Sequence, residues 1–144
     1  MFRDLRTAKE RTMDHTPQLP VILIVDDEPD LLILLYHFMH HLAPMYDILT
    51  ASDGQSALTY LVHRTVALLI TDYMMQGMDG LQLTAAVKAT SPTTHVILAS
   101  GDSSAEMERR AREQQVDTFL PKVEFFVRLE DAVRNILRLD SPKE

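Results

Sequence analysis

Apolar residues along this chain gather in short runs, each stopped by a charge, a hydroxyl or a turn residue, and the runs alternate with stretches of helical period. Val21 to Val25 (V-I-L-I-V) stops at Asp26 and Asp27, Tyr46 to Ala51 stops before Gly54, and Val66 to Thr71 stops at Asp72. Thr94 to Ala99 stops at Ser100-Gly101-Asp102, and Asp117 to Leu120 stops at Pro121-Lys122. The runs at 21–25, 66–70 and 94–99 suit strands buried on both faces of a parallel sheet, because a half-exposed strand alternates apolar and polar positions, while Tyr46 to Ala51 reads as another strand and Asp117 to Leu120 as a short one. Pro29 suits a first helical turn, with Glu28 and Asp30 at its positive end, and the nearly continuous run Leu31 to Phe38 predicts a helix covered over much of its surface. Gly54 is expected to break the chain before a helix Gln55 to His63, with Ala57, Leu58, Leu61 and Val62 on one face. Leu81 to Ala89 has helical periodicity and ends by Ser91-Pro92. Ser103 or Ser104 is placed to cap a charged, exposed helix, and Glu124 to Leu139 sets Phe125, Leu129, Ala132, Val133, Ile136 and Leu137 at i, i+3 and i+4. Strict alternation of strand and helix predicts one α/β domain: a doubly wound parallel sheet of five strands with helices on both faces and right-handed crossovers.

The 144 residues fit a single core, divided here into a flexible N-terminal arm (1–18), a domain (19–140) and a short tail (141–144). A net charge of −7 argues against direct nucleic-acid contact, which favours a basic stripe. The absence of cysteine excludes disulfides, thiolate metal sites and cysteine nucleophiles. No apolar run approaches the roughly 20 residues of a membrane span, and the charged start M-F-R-D-L-R does not read as a signal peptide. A soluble, cytoplasmic chain is expected.

In a parallel sheet all strand ends share one edge, so Asp26, Asp27, Asp72, Ser100 and Lys122 are brought together. Three neighbouring carboxylates repel one another, and a hard divalent cation such as Mg²⁺ resolves the conflict. Lys122 and Ser100 supply the cation and the hydroxyl donor that a bound phosphoryl group needs. Asp72, ending the central strand, is assigned as nucleophile, with Asp26 and Asp27 gripping the metal. His37 and His41 lie i,i+4 with His40 adjacent, a metal-capable spacing, but no third ligand is evident and they read as a partly solvated helix end.

Four motifs, D-D-E-P-D at 26–30, T-D-Y-M-M-Q-G-M-D-G at 71–80, L-A-S-G-D at 98–102 and D-T-F-L-P-K at 117–122, together resemble the receiver domain of two-component response regulators over roughly Leu19 to Leu139. The resemblance implies a flavodoxin-like fold with strand order 2-1-3-4-5. It implies that Asp72 takes a phosphoryl group from the phosphohistidine of a sensor histidine kinase or a histidine phosphotransfer protein. Mg²⁺, with Mn²⁺ as a substitute, would be held by Asp26 (largely through water), Asp27, Asp72 and the backbone carbonyl of Met74. Ser100 and Phe119 would switch, Lys122 would pair with the phosphoryl group, and an output protein would read the face of the fourth helix, fifth strand and final helix. This describes a signalling switch and not an enzyme with an external substrate; the exposed fourth helix also permits a homodimer. Gln76 and Val123 depart from the family, which usually has Pro at the first position and commonly at the second, and Met74 and Asp102 hold loop positions that in this family tune phosphoryl lifetime.

Two other classes share parts of this pattern. A small Mg-dependent aspartyl phosphatase wants a second acid two residues after the nucleophile, where Met74 stands. A flavodoxin-like cofactor carrier needs phosphate-loop donors after the first strand, where this chain has D-D-E-P-D. A pseudo-receiver that only binds partners is opposed by retention of the acids, Ser100 and Lys122.

Overall fold

The five predicted runs form β1 (Val21–Val25), β2 (Asp47–Ala51), β3 (Val66–Asp72), β4 (His95–Ser100) and β5 (Thr118–Pro121). They make one sheet in the order β2-β1-β3-β4-β5, every neighbouring pair parallel. The structure, a computed structural model, describes residues 18–139. The expected arm, apart from Gln18, and the expected tail lie outside the described residues.

The connecting helices are α1 (Pro29–Leu42), α2 (Gly54–His63), α3 (Gly80–Thr90), α4 (Ala105–Glu113) and α5 (Phe125–Leu137), the last preceded by a single 3-10 turn, Lys122–Glu124. Successive side chains of a strand point to opposite faces, so a strand covered on both sides has no polar positions to alternate with. Ile22, Ile24, Leu68, Ile70 and Ile97 pack against Leu35 and Met39 of α1 and Phe125, Leu129 and Val133 of α5. Val21, Leu23, Leu69 and Val96 face the other way, onto Ala57 of α2 and Leu83 and Val87 of α3. The lightly attached α4 buries only Met107 and Ala111, over Leu81 and Leu98.

Two helical expectations change. The run Leu31 to Phe38 does not bury α1 broadly, since Ile33 and Leu34 are 59% and 55% exposed and only Leu35 and Met39 are buried. A single helix laid on a sheet offers it one stripe, whatever the composition of its other faces. Gly54 does not stop the chain before α2; it is the first residue of the helix, and Asp53 is the cap, accepting the Ser56 amide at 2.8 Å.

The edge where the strands begin is clamped by Asp117. Its Oδ2 accepts from the Val96 amide at 2.7 Å and from Lys88 Nζ at 3.1 Å, and its Oδ1 lies 3.3 Å from His95 Nδ1. Burial pushes this carboxyl up, but the Val96 amide, Lys88 and His95 outweigh it and hold the group below its ordinary value. A lowered folded-state pKa means that the stabilisation is present above the unfolded value, near 3.9, and is lost as pH falls through the folded one. Asp117→Ala is therefore expected to cost about 2 kcal/mol at neutral pH. In denaturant titrations repeated at falling pH, the gap to wild type should close below about pH 4; a constant gap down to pH 2 would mean that the carboxylate charge is not what holds this edge.

Helix α5 starts at the opposite edge and runs back for 13 residues, about 20 Å at helical rise, which is the length of a strand. The described chain thus enters and leaves at the Asp117 edge, opposite the strand ends where Asp26, Asp72 and Ser100 stand.

Candidate functional site

At the end of β1 the Asp26 amide bonds to Ala51 O at 3.2 Å, and its carboxylate Oδ1 accepts the Glu28 amide at 2.9 Å. That turn delivers the chain to Pro29 at the start of α1. It leaves Asp26 buried and Asp27 exposed. Asp72, the last residue of β3, is buried beside them, and one ligand atom from each of the three acids lies within 4.8 Å of the others. Burial, joined by the charges of Asp72 and Asp27, raises the pKa of Asp26 above its ordinary value, against the pull of the Glu28 amide and Lys122.

Lys122 reaches this cluster from the 3-10 turn after β5. Its Nζ lies 3.0 Å from Asp72 Oδ1 and 3.1 Å from Oδ2, but only Oδ2 receives a well-directed hydrogen bond. Oδ1 is buried with no hydrogen-bond donor among the described residues. Val123, at the first family departure to bear on this turn, is 92% exposed, so the lysine is placed without a proline behind it. Gln76, the other departure, is also exposed.

The loop after Asp72 is held tightly. The Tyr73 amide bonds to Ala99 O at 2.8 Å, and Tyr73 O accepts the Gly80 amide at 2.9 Å. Asp79 and Gln82 then form a reciprocal capping box at the start of α3. Met74 lies in this loop with its side chain 70% exposed.

Ser100 ends β4, fully buried, and its Oγ accepts the Asp102 amide at 3.0 Å. Phe119 on β5 is half-buried against Leu81, Leu98, Met107 and Ala111. An apolar cavity of about 280 Å³ opens beside the acids, with Ile24, Leu31, Ile70, Phe125 and Phe126 among its walls. The structure thus gathers Asp26, Asp27, Asp72 and Lys122 at one edge, with Ser100 at the same end of the neighbouring strand. The α1 histidines do not join them: His37 and His41 are exposed, and His40 stacks on Tyr36 with ring centroids 6.0 Å apart. Among the described residues the acid triplet is the one group with metal-ligand geometry.

Sequence reasoning missed Tyr73 and Arg110. Arg110 Nη1 of α4 lies 3.3 Å from Tyr73 Oη, and its guanidinium carbon is 5.7 Å from the ring centroid. The tie spans distant segments, and no local spacing announces it.

Three carboxylates faced by one ammonium, with a buried oxygen lacking a donor, make a site that wants positive charge. All-oxygen donors of this kind suit a hard divalent cation.

Residues 22–134 match the family model described as the response regulator receiver domain, and the chain belongs to that family. It is 36% identical over 110 residues to the transcriptional regulatory protein GlrR of Escherichia coli K12, covering 76% of this chain and 24% of that protein. It is 31% identical over 113 residues to the sensor histidine kinase RcsC of Salmonella typhimurium, covering 78% of this chain and 12% of that one. The chain thus spans a quarter or less of these relatives. Among solved structures, response regulator protein TrrA from Thermotoga maritima, in complex with Mg(2+)-BeF, superposes with a TM-score of 0.70 at 26% identity, covering 82% of this chain and 99% of that one. A response regulator receiver protein from Pseudomonas putida gives 0.72 at 26%, covering 83% and 99%. The fold expected from the motifs, and the receiver class it implies, are both those found.

Proposed function

We propose that Asp72 accepts a phosphoryl group from the phosphohistidine of a sensor kinase or histidine phosphotransfer protein. The observation that carries this is the buried Asp72 carboxylate held 3.0 Å from Lys122 within an acid triplet. A carboxylate oxygen of Asp72 attacks phosphorus as the P–N bond breaks; the bond's electron pair stays on the imidazole nitrogen, and the product is an acyl phosphate. Asp26, Asp27, Asp72 and the carbonyl of Met74 would hold Mg²⁺, or Mn²⁺ in its place, and the ion when bound neutralises the acids and the transferring oxygens. Lys122 moves its hydrogen bond from Asp72 to the phosphoryl group, Ser100 donates to a phosphoryl oxygen, and Phe119 turns inward.

The output partner reads α4, β5 and α5, as added charge biases their arrangement. Exposed apolar side chains, Ile33 and Leu34 on α1 and Val123 and Phe126 after β5, offer the donor protein a surface to cover. Phosphatase chemistry on external esters is disfavoured, because Met74 supplies no acid. The switch acts in the cytoplasm; no helix among the described residues is long and apolar enough to cross a membrane.

The test is mass spectrometry after incubation with acetyl phosphate and Mg²⁺. One acid-stable, base-labile phosphoryl adduct is expected, absent from Asp72→Asn and absent when the metal is chelated. A label on histidine, or uptake indifferent to chelation, would overturn the assignment.

A further inference from the structure

Alternation along the strands sets Ile24 on the same face of the sheet as Asp26, and Ile70 on the same face as Asp72. Ala99 stands opposite Asp72 in the β3–β4 register and packs in the same cluster as Ile24 and Ile70, under α1 and α5. The cavity of about 280 Å³ beside the acids lies on this face. Asp26, Asp72 and Lys122 line its polar end, and Ile24, Ile70 and Ala99, all buried, make an apolar floor. Its other wall residues include Leu31, half-buried, and Phe126, exposed, which form a rim open to solvent. The short side chain of Ala99 leaves room where its neighbours on this face, Ile70 and Ile97, are β-branched.

The transferring oxygens, a cation and Lys122 are all polar, so phosphoryl transfer by itself has no use for an apolar chamber next to the nucleophile. A chamber with a charged end and a hydrocarbon end matches a donor built the same way. Its volume falls just below the range of small-ligand pockets, about 300 to 1,000 Å³. That is too little for a nucleotide and enough for a short carbon chain.

We propose that the cavity takes the hydrocarbon tail of a low-molecular-weight acyl phosphate, so that Asp72 draws phosphoryl groups from short-chain acyl phosphates and prefers a butyryl to an acetyl donor. The proposal rests on the reading of Asp72 as phosphoacceptor. A carboxylate oxygen of Asp72 attacks phosphorus, the bond from phosphorus to the acyl oxygen breaks, and its electron pair leaves with that oxygen as the carboxylate of the freed acid. One acyl phosphate is exchanged for another, and no proton moves. In-line attack sends the acyl oxygen out on the side of phosphorus away from Asp72, and the chain folds back over the Leu31–Phe126 rim onto the apolar floor. Each methylene taken from water into such a site is worth about fourfold in affinity. Donor and transition state share these contacts, so they raise kcat/KM and leave kcat alone.

The experiment follows adduct formation on the full chain in Mg²⁺ by mass spectrometry and compares the second-order rates from acetyl phosphate and butyryl phosphate. Acetic and butyric acids are of nearly equal strength, so the two donors differ little in intrinsic reactivity. Butyryl phosphate is expected to react about tenfold faster, a little below the full gain of two buried methylenes. Ala99→Val, which fills the floor, and Leu31→Phe, which narrows the rim, should each bring the butyryl-to-acetyl ratio to near unity. Binding of fluoroberyllate, read as a bound fluorine resonance, identifies the variants that keep a folded site. Equal rates from the two donors in wild type would overturn the proposal. So would a wild-type ratio that persists in a folded variant, because the cavity would then hold no tail. Absence of any adduct from either donor in wild type would instead overturn the phosphoacceptor reading, and this proposal with it.

Discussion

Gly80→Ala is expected to lower the unfolding free energy by about 3 kcal/mol, the upper end for overpacking, and to slow phosphoryl uptake severalfold. A β-carbon at this position would sit 2.3 Å from the carbonyl oxygen of Asp72, 2.7 Å from Leu98 Cδ1 and 2.9 Å from the α-carbon of Tyr73. Two of those three atoms are backbone, and neither can swing aside as a side chain would. Relief requires the start of α3 to lift away from the end of β3, which strains the Gly80 to Tyr73 bond and shifts the peptide of Asp72. Gly101→Ala is the matched control, with nothing within 4 Å of its added carbon, and should change stability by less than about 0.5 kcal/mol. Urea titrations and the rate of adduct formation from acetyl phosphate measure both effects. Equal stability of the two variants would show that the close approach at Gly80 is not rigid.

Asp26→Asn should have the opposite sign in the metal-free protein. Asparagine keeps a side-chain oxygen for the Glu28 amide, so the turn into α1 survives, while one of three crowded negative charges disappears. Burial and like charge already disfavour the ionised form of Asp26. A gain of about 1 kcal/mol is expected without metal. Affinity for Mg²⁺ should fall at least about tenfold, because a neutral amide replaces an anionic donor. Thermal unfolding read with and without Mg²⁺ tests both: wild type should gain strongly on metal addition, and the variant should start higher and gain little. A variant that melts lower than wild type without metal, or that responds to Mg²⁺ as strongly, would remove the acid triplet as a cation site.

The three central strands were legible because they are covered on both faces, which leaves a nearly continuous apolar run whose stop marks the functional edge. Asp26, Asp27, Asp72, Ser100 and Lys122 could therefore be gathered from separate segments before any geometry was known. The helices were harder to read. An apolar run such as Leu31 to Phe38 says that a helix forms there but not which stripe it buries, so the exposure of Ile33 and Leu34 was invisible. Helix starts depend on which side chain bends back to an amide, and Asp53 was passed over for the more conspicuous Gly54. The Asp117 fork and the Arg110–Tyr73 tie depend on rotamers and on distant partners. Residue order alone does not encode them visibly.

The return of α5 along the full height of the sheet has a practical corollary for handling the molecule. A reporter attached at the ends of the described chain, Gln18 or Leu139, sits at the Asp117 edge and leaves the acid triplet at the other edge open.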